Sequence, residues 1–285
     1  MVVGNDVAED MIAETVGMQV FLLSDCMINK KQEDISNYRF GSFDELMEVI
    51  MILFFVRHGH PIYNPDCLTE LGHKQAEALV KRMAECNPDK IFASSSTRAI
   101  QTAEPTARFL GKEIEILDWC KETYAWQELT VEIGEGRRTW AFAHKETKEL
   151  FASSQVRKLD KEWYTYPGFE KYEKGIKRIQ SETDQLMLRL GYRHDHEKNG
   201  YIPVKPNDDR VALFAHQGFG LGFLSCLLDI PYPQMSTRFD MGHSAMTVIE
   251  FEGEDLVVPK VLQLSNDSHI FAAGISTDYQ ARLHF

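Results

Sequence analysis

From residue 51 onward the chain alternates short, continuous apolar runs with longer amphipathic stretches. Met51–Val56 is an unbroken apolar run of the length expected for a strand covered on both faces. Lys90–Ala93, Glu113–Leu117, Val211–Ala215, Met246–Phe251 and Pro259–Leu264 read as further strands. Between them, Leu68–Cys86 predicts a helix with Thr69 as N-cap and an apolar stripe of Leu71, Ala78, Leu79 and Met83. Ser94–Leu110 predicts a second helix, opened by a serine and threonine cluster and closed by Gly111 as a left-handed cap. Pro105 inside it should kink or break it. Gly220–Leu228 predicts an apolar helix that stops before Pro231. Strands alternating with helices imply an α/β fold, a mostly parallel sheet flanked by helices on both faces.

Two regions depart from this rhythm. Between Glu122 and Asp209 aromatic and charged residues mix, with Tyr124, Trp126, Trp140, Trp163, Tyr164 and Tyr166 among them. A long amphipathic helix is expected from about Glu170 to Leu190, ending at Gly191. This block, about residues 124–208, reads as a helical insertion over the sheet that shapes substrate access. The other region is residues 1–50, which lack clean periodicity. They carry ten acidic and three basic residues, a balance of −7 against −5 for the other 235. The functional domain is therefore expected over 51–285. Residues 1–50 would be an appendage with a short helix at Ser42–Ile50, an over-extended start, or else a regulatory segment.

A length of 285 residues allows one or two domains with a substantial core. A net charge of −12 argues against a nucleic-acid partner, which needs a basic face. A basic pocket for a small anion remains compatible with it. No apolar run is long enough to span a bilayer, so no membrane partner is expected. The first twenty residues contain no Lys or Arg, unlike a secretory signal. Five scattered cysteines with no CxxC pair suggest neither a zinc knuckle nor a redox motif, and point to the cytoplasm.

The chemistry lies where the strands end. Phe55-Val56-Arg57-His58-Gly59 closes the first strand with a cation, a possible nucleophile and a residue that lets the backbone turn sharply. Ligands of open α/β sheets bind at such carboxyl ends. Arg98 falls in the first turn of its helix, where N–H groups favour an anion. His216, followed by Gln217-Gly218, repeats the strand-end placement of His58. Phosphoryl transfer through histidine needs a neutral imidazole nitrogen, cations for the equatorial oxygens, and a proton donor for the leaving oxygen. His58 is the candidate nucleophile, Arg57 and Arg98 the cations, and Glu122 the candidate acid, with Glu128 as its rival.

These motifs resemble the histidine phosphatase superfamily, also called the phosphoglycerate mutase-like family. Arg57-His58-Gly59 matches its Arg-His-Gly motif, and Asn64 falls where that motif usually carries an asparagine. Leu68-Thr69-Glu70-Leu71-Gly72 with Gln75-Ala76 resembles its next helix start. Ser94 and Arg98-Ala99-Ile100-Gln101-Thr102-Ala103 match its second arginine motif, and Ala215-His216 its second histidine. The resemblance implies that His58 becomes phosphohistidine. Arg57, Arg98 and His216 would grip the phosphate with Asn64 and Gln217 nearby, and Glu122 would protonate the leaving group and then activate water. The expected activity is metal-independent, cofactor-free hydrolysis of a phosphate monoester of a small metabolite. Pro61 and Gln217 depart from the usual pattern, and the loop after Glu122 lacks the Arg-His-Tyr-Gly of mutases, which favours a phosphatase. A mutase-type phosphotransferase and a non-catalytic phosphate- or phosphopeptide-binding module on the same fold are the alternatives.

Other motifs carry less. His58-Gly59-His60 could be read as a metal pair, but the adjacent arginine would repel a cation. His194-Asp195-His196 lies in a charged stretch and reads as a solvated loop. His243 and His269, near late strands where they could border the site, read as structural residues. The aromatics Trp126, Trp140 and Trp163 suit either a pocket wall or core packing. No cysteine has an arginine six residues later, and no P-loop motif is present.

Overall fold

The computed structural model describes residues 2–18, 20–36, 38–41, 50–276, 278–279 and 283–284. The chain divides into Met1–Val49 and Ile50–Phe285. In the first unit the strands Val2–Gly4, Val20–Leu23 and Arg39–Gly41 form a small parallel sheet over Val7, Val20 and Leu22. Asp6 caps its short helix, accepting from the N–H groups of Ala8 and Glu9. The helix expected at Ser42–Ile50 falls, up to residue 49, outside the described residues. Ile50 itself opens a strand.

The second unit is built on six strands: β1 (Ile50–Arg57), β2 (Lys90–Ser94), β3 (Ile114–Leu117), β4 (Arg210–Ala215), β5 (Met246–Glu252) and β6 (Lys260–Asn266). Their order is β6-β5-β1-β4-β2-β3. The four strands β1, β4, β2 and β3 run parallel, and β5 and β6 add antiparallel pairs at one side. The sheet is mixed but mostly parallel, with helices on both faces.

Alternation along β1 divides the core in two. Met51, Leu53 and Phe55 point to one face, where they join Val211, Leu213, Ile249 and the aromatic side chains of the insertion. Phe54 and Val56 point to the other, against α1 (Glu70–Cys86) and α2 (Thr97–Leu110). A strand buried on both faces has no polar alternation, which is why it reads as one apolar run. In α1 the buried stripe is Gly72, Gln75, Ala76, Leu79 and Met83. Leu71 and Ala78, expected in that stripe, are only half-buried. Thr69 caps the helix as expected, accepting from Gly72 N–H at 3.0 Å.

Helix α2 starts at Thr97, after Ser94 has closed β2 and Ser96 has taken the cap position. It runs unbroken past Pro105 to Gly111, contrary to the expected break. Pro105 is itself buried, and small residues on either side of it, Ala103 and Ala107, lie in the core against the sheet. That packing outweighs the loss of one backbone hydrogen bond.

The insertion between β3 and β4 is not purely helical. It contains α3 (Glu122–Glu128) and α4 (Glu173–Arg189), but also two antiparallel hairpins, Thr130–Glu132 with Arg138–Trp140 and Tyr192–Asp195 with Gly200–Pro203. The second hairpin corrects the reading of His194 as part of a solvated loop: its side chain is 1% exposed. Trp163 is core, packed with Phe151, Phe169, Tyr172 and Tyr232. α5 (Gln217–Leu227) follows β4 and starts three residues before the expected Gly220, with His216 as its N-cap. Among the described residues, no helix is long and apolar enough to cross a membrane.

Candidate active site

The site forms where β1, β4 and β2 end side by side. Ala215 pairs with Arg57, and His58 N–H donates to Ala215 O at 2.9 Å. His58 and His216 therefore leave neighbouring parallel strands together, with ring centres 5.1 Å apart. Ser94, at the end of β2, places its hydroxyl 2.8 Å from His216 Nε2. The turn after His58 fits only because of two glycines. A Cβ on Gly59 would lie 2.7 Å from Gly72 O, and one on Gly72 would lie 2.2 Å from His60 O. The α1 N-terminus is thereby drawn tight against the loop.

Hydrogen bonds fix the tautomer of His58. Nδ1–H donates to Gly59 O at 2.7 Å, and Nε2 accepts from Arg98 Nε–H at 3.2 Å. Nδ1 thus carries the proton and Nε2 the lone pair. Both histidines are held neutral. Burial pushes the His58 pKa well below its ordinary value, with His216, Arg57 and Arg98 adding to the effect in that order. Like-charge repulsion by the arginines is secondary to desolvation. His216 is depressed for the same reasons, burial first and then Arg98 and Arg57.

Arg98 is the hub of the cluster. Its side chain is 9% exposed and meets His58, Asp66 (Nη1 to Oδ1, 2.6 Å) and Glu122 (Nη2 to Oε2, 3.2 Å). Tyr63 lies over its guanidinium, 5.3 Å from the ring centre. Its position in the first turn of α2 is locked from behind, where Thr102 Oγ1 bonds both Arg98 O and Gly59 N–H. Arg57 is also buried. It donates through Nη1 to Met241 O and through Nη2 to His243 Nε2 at 2.9 Å. Arg57 Nε and His216 Nδ1 are buried polar atoms with no hydrogen-bond partner among the described residues. Such groups cost stability and are suited to a polar ligand.

Glu122 opens α3 and reaches into the cluster. Oε1 accepts from Gly218 N–H at the start of α5, at 2.9 Å, and Oε2 lies 3.6 Å from His216 Nδ1. Its rival Glu128 is turned away and paired with Arg178 at 2.7 Å. Trp140 closes over the same corner, so near that a Cβ on Gly218 would overlap its ring.

The structure thus brings together Arg57, His58, Arg98, Glu122 and His216. The other two candidates stand on the elements around this cluster. Asn64 stands at the exposed tip of the hairpin Pro61–Tyr63/Asp66–Leu68. Gln217 donates its amide to Asp240. Asp66 went unrecognised in the sequence as a neighbour of the cluster. Asp66 arrives through the hairpin, and His243, expected to be structural, sits beside Arg57. Burial and then Arg57 push the His243 pKa down to about 2, so it accepts rather than donates toward the guanidinium. His269 lies elsewhere, bonded to Ser244.

A family model described as histidine phosphatase superfamily (branch 1) matches residues 53–263. The chain belongs to this superfamily. The match covers all the clustered residues. A mutant phosphoserine phosphatase from Entamoeba histolytica, solved in complex with phosphoserine, has a similar structure: 20% identity, TM-score 0.50, covering 77% of this chain and 99% of its own. A mycobacterial hydrolase is similar at 21% identity and TM-score 0.50, covering 75% of this chain and 98% of its own. These likenesses are of fold. No curated protein matches the chain.

His58, Glu122 and His216 each offer a ligand atom, all within 4.8 Å of one another. The same pocket holds two guanidinium groups, whose charge opposes a metal cation and favours an anion.

Proposed function

We propose that the protein hydrolyses phosphate monoesters through a phosphohistidine on His58. The observation that carries this reading is the fixed tautomer: Nε2 presents its lone pair beside the Arg98 guanidinium. In the first step Nε2 attacks phosphorus and the P–O ester bond breaks. Arg57, Arg98 and His216 hold the three equatorial oxygens, where charge is spread in the transition state. Glu122, in its protonated form, gives its proton to the leaving oxygen. In the second step water gives a proton to Glu122 and attacks phosphorus, the P–N bond breaks, and inorganic phosphate leaves. The Gln217 amide, donated to Asp240, is left out of this grip.

The substrate class is a small phosphorylated metabolite. Trp140 and Tyr63 crowd the cluster from two sides, which suits a compact ester better than a folded phosphoprotein. A similarly folded protein is named a phosphoserine phosphatase, and phosphoserine belongs in the substrate panel for that reason. All five cysteines are unpaired, which suits a reducing cytoplasm. The test is release of phosphate from p-nitrophenyl phosphate at pH 6–7 by wild type and His58→Ala. Wild type should turn over and the variant should not. Equal activity in the two would remove His58 as nucleophile.

A further inference from the structure

Away from the phosphate site, the insertion holds a second convergence of histidine and carboxylate side chains. Asp184 projects from α4, His194 from the strand Tyr192–Asp195, and His196 from just beyond it. We propose that Asp184, His194 and His196 form a binding site for a divalent transition-metal ion of the zinc class.

Each of the three offers one ligand atom, and these atoms lie within 4.8 Å of one another. The two rings approach a single carboxylate. His194 Nδ1 is 2.7 Å from Asp184 Oδ1, and His196 Nε2 is 2.8 Å from Oδ2. Their ring centres are 4.0 Å apart. On its far side His194 Nε2 meets Asp229 Oδ2 at 2.9 Å, and Lys161 holds the other oxygen of Asp229. A carboxylate on the second nitrogen of a ligating imidazole fixes its tautomer and raises its basicity. His194 is also stacked on Tyr201, with ring centres 4.3 Å apart and planes at 14°. The ligand's orientation is thus set before any ion arrives.

The other side is open. His196 is 44% exposed and borders a cleft of about 470 Å³, where Lys177, Gln180 and Arg193 also lie. Water can complete the coordination there. Two imidazoles and one carboxylate, with positions left for solvent, suit zinc, cobalt or nickel better than magnesium or calcium. The competing account is a charged His194 clamped between Asp184 and Asp229. It explains three of the residues but gives no role to His196, which adds a second imidazole to a carboxylate already engaged. On binding, the ion replaces the proton that His194 Nδ1 donates to Asp184, and that proton passes to water. The proton on His196 Nε2 moves to Nδ1, and the Gln180 amide, whose Nε2 now donates to Nδ1 across 3.3 Å, turns over to accept it through Oε1.

The experiment uses untagged, metal-stripped full-length protein titrated with zinc against a chromophoric chelator, with the melting temperature recorded in parallel. Wild type should bind zinc and melt higher with it. His196→Ala, a change at a half-exposed position, should match wild type in metal-free melting but lose about 100-fold or more in affinity. Asp229→Asn should weaken binding about 10- to 100-fold through the tautomer of His194. Failure of wild type to bind would overturn the proposal, as would His196→Ala binding equally well. Binding lost in Glu122→Ala but kept in His196→Ala would move the ion to the phosphate site and also overturn it.

Discussion

Arg98 Nε donates to His58 Nε2 across 3.2 Å, from the first turn of α2 to the end of β1. This contact joins the cation to the lone pair that would attack phosphorus. The same guanidinium is held by Asp66 and Glu122, so its plane is set by three partners before any anion binds. Catalytic groups held in advance need no reorganisation when charge develops.

Arg98→Ala should therefore lower kcat/KM by about 10²- to 10³-fold, the usual loss for removing one preorganised donor. Arg98→Lys should recover little, because an ammonium cannot reproduce the fork that reaches His58, Asp66 and Glu122. Inhibition by phosphate or vanadate should weaken in parallel in both variants. Unchanged inhibition would contradict the role given to Arg98.

Glu122 and Glu128 should separate by leaving group. Glu122→Gln should slow alkyl phosphates by about 10²- to 10⁴-fold, because their leaving oxygens need a proton. p-Nitrophenyl phosphate, whose leaving group is stable as an anion, should be affected less. Glu128→Gln breaks the pair with Arg178 and should leave that ratio unchanged. The ratio of rates on the two ester types reports the acid directly.

Stability should fall as the pH drops below about 6.5, the value for an unfolded-chain histidine. His58 and His216 are held neutral by burial, His243 is depressed to about 2 and His269 to about 4. Below 6.5 the unfolded chain takes up protons that these native histidines refuse, so the native state loses ground toward the native pKa values. Each such group costs about 1.4 kcal/mol per pH unit in that range. Urea midpoints in phosphate-free buffer at pH 7.5 and 5.5 measure it. A midpoint that does not fall would contradict the assignment of these rings as buried and neutral.

Removal of residues 1–49 should leave kcat/KM within about twofold, since terminal segments outside a core are commonly dispensable. The cut must spare Ile50, which pairs with Glu252 in β5 and begins β1. A large loss of kcat/KM with an unchanged melting temperature would give the first unit a part in the activity.

Much of the site was legible because its residues sit at strand ends. Arg57, His58 and His216 follow apolar runs, and β1 and β4 are neighbours, so two distant motifs meet without further assumption. Local signals at Thr69 and Gly111 also read true, because capping is decided within a few residues. Tertiary choices were not legible. Pro105 stays in a continuous helix because its neighbours pack on the sheet. Asp66 reaches Arg98 through a hairpin that no apolar pattern announces. Glu128 is held away from the cluster by Arg178, fifty positions away. His194 looked solvated because its two aspartate partners come from separate elements of the fold.

The most direct measurement is trapping the intermediate. Wild-type protein should be mixed with a ³²P-labelled monoester, quenched within milliseconds in alkali and mapped by peptide mass spectrometry. Base-stable, acid-labile label on the peptide containing His58, absent from His58→Ala, is the predicted result. Multiple turnovers with no label on that peptide, or label on another residue, would contradict attack by His58 Nε2.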